Sequence, residues 1–163
     1  FSLLSVSPKA LERSAGRAGK GYYLDFVRLK GLFDRRMPMA TPSISHLFAL
    51  RAQLRRVEQE GLANRYARHR AMAELVRYWA GREFALFAAE GERSDTITCV
   101  RNSRGIDVAG FLSTLARQGF AISNGYGKLK EATFRIGHMG DHTVDGVRAL
   151  LAAMDASLRG SPA

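Results

Sequence analysis

The chain contains one cysteine, Cys99, in 163 residues. A single thiol excludes an internal disulfide framework and any metal site built from several cysteines. It permits a reducing compartment. No signal-peptide pattern opens the sequence, and a cytoplasmic location is the expectation. Long apolar runs are missing as well. The longest stretch free of Asp, Glu, Lys and Arg is Met37 to Leu50, and it contains Pro38 and Pro42, so it does not read as a membrane span. No G-x-S-x-G, Walker or Rossmann fingerprint occurs. No His/Cys/Asp/Glu group has metal-ligand spacing. The nearest, His138–Asp141–His142, falls short of a four-ligand or three-ligand zinc site.

Acidic residues are also scarce: 15 against 25 basic ones, a net charge of +10. The excess is concentrated early, with 14 Lys/Arg and 5 Asp/Glu in residues 1–70. Such asymmetry suits a nucleic-acid surface, but Arg51, Arg55 and Arg56 have no interleaved aromatic platform, and a solvated face is the simpler reading. With 46% hydrophobic and 25% charged residues, the composition is that of a folded domain.

Phe1 to Ser7 reads as a strand from the first residue, and no initiator methionine precedes it. Termini usually lie exposed, so this opening predicts a piece cut from a longer polypeptide. Ser7-Pro8 predicts a short helix ending by Gly16. Residues 22–29 have no clean period and read as irregular or a short helix. Thr41-Pro42-Ser43 opens a helix with Ile44, Leu47, Phe48, Leu54 and Val57 at helical spacing, stopped at Gly61. A second helix is predicted from Asn64 to Trp79, with Tyr66, Met72, Ala73, Val76 and Trp79 on one side and Gly81 after it. The two segments could also run as one bent helix through Gly61. Short strands then alternate with helices: strands at 84–87, 96–100, 120–122 and 133–136, a helix capped by Asp107, a loop at 124–127, and a last helix capped by Thr143. The result is a small α/β sandwich, three or four strands covered on one face by helices.

Cys99, mid-strand, reads as a small buried hydrophobe. Arg135 stands alone in the apolar strand Thr133-Phe-Arg-Ile136, with Gly137 and Gly140 following. Burying a guanidinium is costly unless it is paired, and arginine meets a carboxylate or phosphate with two parallel hydrogen bonds. Two readings stay open from the residues alone. One is an anion-recognising arginine, and the other is an edge-strand arginine facing solvent.

The segment Asn124-Gly-Tyr-Gly…Thr-Phe-Arg-Ile-Gly-His-Met-Gly140 resembles the C-terminal signature of class V aminotransferases, the alanine–glyoxylate and serine–pyruvate group. Leu3 to Ala10, Tyr22-Tyr-Leu-Asp25, Thr41-Pro-Ser-Ile44, Glu60-Gly-Leu62 and Arg68-His69 match in order, so the resemblance covers essentially the whole chain. It implies a fold type I pyridoxal-phosphate enzyme acting as a homodimer on amino-acid and 2-oxo-acid substrates, with no membrane or nucleic-acid partner. On this resemblance residues 1–43 end the large cofactor domain, 44–67 form a junction helix, and 68–163 form the small C-terminal domain. Arg135 matches the arginine that binds the substrate α-carboxylate. Thr41 matches a position whose loop reaches the cofactor phosphate of the neighbouring subunit, although Pro38, Met39 and Ala40 replace the tyrosine often found before it. The family's Schiff-base lysine precedes the segment beginning at Phe1, and Lys9 and Lys20 do not match it. The chain alone is therefore expected neither to hold pyridoxal 5'-phosphate nor to transaminate. A cysteine desulfurase would need its cysteine on a loop, against the strand position of Cys99. Aminoethylphosphonate–pyruvate transaminases carry a similar Arg-Ile-Gly element and stay open. Outside the family, the alternatives are a basic nucleic-acid-binding module and a non-catalytic dimerisation or regulatory module.

Overall fold

A computed structural model describes residues 2–160. They divide into two compact units, 1–59 and 60–163. The first contains helices α1 (Pro8–Ala15) and α2 (Phe26–Asp34) and most of α3 (Ile44–Glu60). The second contains α4 (Leu62–Glu83), β1 (Ala85–Leu86), β2 (Ile97–Arg101), α5 (Val108–Arg117), β3 (Ser123–Asn124), β4 (Thr133–Gly137) and α6 (Val144–Gly160).

In the first unit the caps set the helices. The Ser7 side chain accepts from the Ala10 amide at 3.3 Å, and Pro8 follows where its missing N–H costs nothing. Asp25 accepts from the amides of Val27 and Arg28 and pairs with Lys20 at 3.1 Å. That cap resolves the ambiguous stretch 22–29: its first residues are turn, and a helix starts at Phe26. The expected opening strand is not found. Residues 2–7 have no regular structure, and Phe1 lies outside the described residues. A strand exists by pairing, and no described segment pairs with this one.

Gly61 takes φ 79°, a conformation that ends α3 and lets α4 begin at Leu62. Two helices form here rather than one bent helix. Gly81 does not stop α4, which continues to Glu83. Tertiary packing outweighs the glycine penalty there, because Trp79 and Ala80 are both buried. Met72, Ala73 and Val76 are buried beside them as expected, whereas Tyr66 is exposed.

The sheet is antiparallel throughout, in the order β1-β2-β4-β3. On β2 and β4, register pairs Thr98 with Ile136 and Val100 with Phe134. All four side chains are buried, and Val100, Phe134 and Ile136 meet Met72 and Val76 of α4, Phe111 and Leu115 of α5, and Val147, Leu151 and Met154 of α6 in one core. Phe134 sits at its centre, with ring centroids 5.2 Å from Phe84, 6.0 Å from Phe111 and 6.5 Å from Trp79, all edge-on or nearly so. Trp79 Nε1 donates to Asp155 at 2.7 Å, so its one polar atom is satisfied. The expected strand at 120–122 falls instead at Ser123–Asn124, where the residues pair with Arg135 and Phe134. The Asn124–Gly127 loop runs into a turn of 3-10 helix at Gly127–Leu129.

Period two places Cys99 and Arg135, which face each other across β2 and β4, on the sheet side away from this core. Cys99 is accordingly half-buried rather than a core side chain.

Candidate carboxylate site on the open sheet face

Arg135 lies on β4, an interior strand flanked by β2 and β3. The edge-strand reading is therefore excluded. Its Nε donates to the Asn124 carbonyl at 3.1 Å. Its two outer nitrogens have no hydrogen-bond partner among the described residues, and no carboxylate there pairs with it. A half-buried guanidinium that is anchored at Nε and free at its fork is arranged to receive a planar anion.

The anchor itself is held in place. Asn124 Oδ1 accepts from the amides of Gly125 at 2.7 Å and Glu131 at 2.9 Å, and Asn124 Nδ2 donates to Glu131 Oε1 at 2.5 Å. The other Glu131 oxygen accepts from the Val108 amide at 3.0 Å, where α5 begins and a negative charge is favourable. Asn102 donates to the Glu131 and Ile106 carbonyls and accepts from the Ile106 amide. Glu131 adopts φ 64°, a left-handed conformation held by these bonds. Sequence reasoning passed over Asn102 and Glu131. Asn102 had a local signal, since it precedes Ser103-Arg104-Gly105 at a turn.

Arg135 opens into a depression of about 200 Å³ that Cys99, Arg77 and Arg93 also line. Arg77 Nη2 donates to the Ser94 carbonyl at 2.9 Å and to Asp95 at 2.8 Å, while its buried Nε has no partner. His138, which follows β4, is fully buried. Its Nε2 lies 2.9 Å from Thr98 Oγ1, and its Nδ1 lies 3.2 Å from the Asp95 carbonyl. The carbonyl can only accept, so Nδ1 carries the hydrogen and Nε2 accepts from the threonine. Burial holds the His138 imidazole below the ordinary histidine range. The fold thus favours the neutral ring. Its contribution to stability is complete above the unfolded-state pKa of about 6.5 and is lost as pH falls below that value. An NMR titration should place the His138 midpoint below the ordinary value, with the urea midpoint lower at pH 5 than at pH 7.5. A midpoint at or above the ordinary value would refute this.

Further along, Arg68 donates to the carbonyls of His142 and Gly140 and pairs with Glu60 at 2.6 Å, clamping the turn after β4. Hydrogen bonds from Arg68 and Arg65 keep the Glu60 carboxyl below the usual carboxylate range. The trio His138–Asp141–His142 does not converge. His138 is bound to Thr98, and Asp141 lies 3.5 Å from Arg65. Among the described residues no group of three or more His, Cys, Asp or Glu could hold a metal ion. Thr41 lies in the first unit, in an exposed loop, and its hydroxyl has no hydrogen-bond partner among the described residues. No described helix is long and apolar enough to cross a membrane.

A four-stranded antiparallel sheet backed by helices matches part of the C-terminal domain of fold type I transferases. Comparison with known proteins agrees. An uncharacterized aminotransferase of Methanocaldococcus jannaschii is 34% identical over 98% of this chain and 42% of its own length. The serine–glyoxylate aminotransferase of Methylorubrum extorquens is 28% identical over 97% of this chain and 41% of its own. The solved alanine–glyoxylate aminotransferase of Nostoc superposes with a TM-score of 0.83 at 29% identity, covering 94% of this chain and 42% of that one. No family model matches the chain. The chain is homologous to the class V, fold type I aminotransferases and corresponds to a C-terminal portion of them. It spans about two-fifths of the length of the relatives it matches.

Proposed function

We propose that this chain supplies the carboxylate-binding part of a pyridoxal-phosphate-dependent aminotransferase. The enzyme moves an amino group between an alanine- or serine-like amino acid and a glyoxylate- or pyruvate-like 2-oxo acid. The observation that carries this reading is the Arg135 fork, anchored at Nε and uncommitted at both outer nitrogens. Both substrate classes share a carboxylate beside the reacting carbon. Holding that carboxylate by two parallel hydrogen bonds fixes the orientation of the reacting carbon. Asn124 and Glu131 keep the fork aimed.

Pyridoxal phosphate supplies an electron sink when bound in such enzymes. The residues described here do not by themselves build its site. Thr41 offers one hydroxyl in an exposed loop, followed by Pro42, which has no amide hydrogen to add. Lys9 and Lys20 do not match the cofactor lysine, and Lys20 is engaged with Asp25. Cofactor binding and turnover accordingly belong to an assembly of the relatives' full length, a cytoplasmic homodimer in this reading, and not to these 163 residues alone. The test on the chain itself is an NMR titration with butyrate. Saturable shifts at Arg135, lost in Arg135→Ala, are expected. Shifts that persist in the variant, or no saturable binding, would overturn the reading.

A further inference from the structure

Of the asparagines Asn64, Asn102 and Asn124, only Asn124 is followed by a glycine. The turn calls for both residues. A side chain at position 125 would run into the Leu129 carbonyl, and Asn124 supplies Glu131 with a donor and an acceptor. The same pair is chemically labile. Glycine has no side chain to shield its backbone nitrogen, which can therefore approach the carboxamide before it. Asn124 Oδ1 already lies 2.7 Å from the Gly125 nitrogen. Two hydrogen bonds oppose attack by that nitrogen. The Gly125 N–H is also donated to the Thr133 carbonyl at 2.8 Å, and Asn124 Nδ2 is donated to Glu131 Oε1 at 2.5 Å. Glu131 makes this bond at φ 64°, a conformation that glycine would adopt without strain. β3 is a two-residue strand at the sheet rim, preceding the exposed Tyr126, so local opening breaks these bonds at a cost well short of global unfolding.

We propose that Asn124 is a site of spontaneous deamidation, held closed by Glu131, and that its conversion disables the Arg135 site. The Gly125 nitrogen gives its proton to solvent base and bonds to Asn124 Cγ. The Cγ–Nδ2 bond breaks, and Nδ2 leaves as ammonia from a five-membered imide. Water then opens the imide at one of its two carbonyls. Opening at Cγ gives aspartate, and opening at the main-chain carbon gives isoaspartate. Amide and water become acid and ammonia, with no change of oxidation state. In the isoaspartate the chain runs through Cγ, and the former main-chain carbonyl becomes a carboxylate. That carbonyl is the group that accepts from Arg135 Nε at 3.1 Å. Arg135 then faces an anion of its own chain, which competes for the fork. In the aspartate an oxygen replaces Nδ2 and meets Glu131 as a like charge, which breaks the anchor. The conversion itself is independent of what Arg135 binds, and only its consequence rests on the carboxylate reading above.

The test is incubation of the 163-residue chain at mildly alkaline pH, followed by peptide mapping with mass spectrometry. Asn124 is expected to convert while Asn64 and Asn102 keep their amides. Glu131→Gly removes the carboxylate and suits the backbone there, so circular dichroism should show a wild-type fold. Asn124 should convert about ten times faster in this variant, the worth of one hydrogen bond to a charged group, with Asn64 and Asn102 unchanged. The converted fraction, separated by ion exchange, should show a displaced Arg135 Nε–H resonance and lose butyrate binding in an NMR titration. An Asn124 that keeps its amide throughout overturns the proposal. Equal rates in wild type and Glu131→Gly, or a rise at all three asparagines together, overturn the role of Glu131. A converted chain with the wild-type Arg135 resonance and butyrate affinity overturns the consequence. Butyrate shifts that persist in Arg135→Ala overturn the carboxylate reading instead and leave the conversion at Asn124 standing.

Discussion

Replacing Arg135 with lysine in the assembled aminotransferase is expected to lower kcat/KM for the amino donor by about 100-fold, chiefly through a higher KM. Lysine keeps the charge but offers a rotating point donor where arginine offers a rigid fork. Hydrogen bonds to a charged group contribute about 1.5–3 kcal/mol each, and every 1.4 kcal/mol is about tenfold. On the proposed function the carboxylate would be held before and during reaction alike, so its loss would appear first in KM. A smaller fall in kcat follows from looser orientation. Steady-state kinetics decide the matter: an unchanged KM would mean that Arg135 does not hold the substrate. The chain should fold normally, since Arg135 lies outside the core and its Nε bond to Asn124 is one of many at that turn.

The second large effect belongs to a residue without a side chain. Gly125→Ala is expected to destabilise the chain by about 3 kcal/mol or more, seen as a lower urea midpoint. A Cβ on Gly125 would overlap the Leu129 carbonyl and stand 2.5 Å from Thr133 Oγ1. Both neighbours are fixed, because the Thr133 hydroxyl already donates to Leu129 O and the Gly125 amide donates to Thr133 O at 2.8 Å. Backbone cannot yield as the end of a flexible side chain can. The displacement would also reach Asn124, the residue that anchors Arg135. A wild-type melting curve for Gly125→Ala would show that this turn has slack.

Elements closed by a local hydrogen bond were readable in the sequence. Asp107 accepts from the Gly110 amide and Thr143 from the Gly146 amide, each where a cap residue precedes an apolar period. Asp25 carried the same signal ahead of Phe26, but it was obscured by the aromatic run before it. The two-residue strands were less legible, because β3 is defined by its partners on β4 and not by its own composition. The site divided in the same way. Arg135 stood out as a charge in an apolar strand. Its anchor did not, since an arginine that binds a backbone carbonyl leaves no trace in residue type. Arg77 and Arg93 were lost among 25 basic residues until register and the β1–β2 loop brought them to one depression.

The order β1-β2-β4-β3 puts the two five-residue strands inside and the two-residue strands at the rims. Unpaired strand backbone recruits other chains in proportion to the length of ladder it offers, and rims this short offer almost none. The sheet therefore resists edge-on growth into fibrils or strand-swapped aggregates, even though one of its faces stays accessible. Copies of the chain that associate are therefore not expected to do so by strand pairing at these rims.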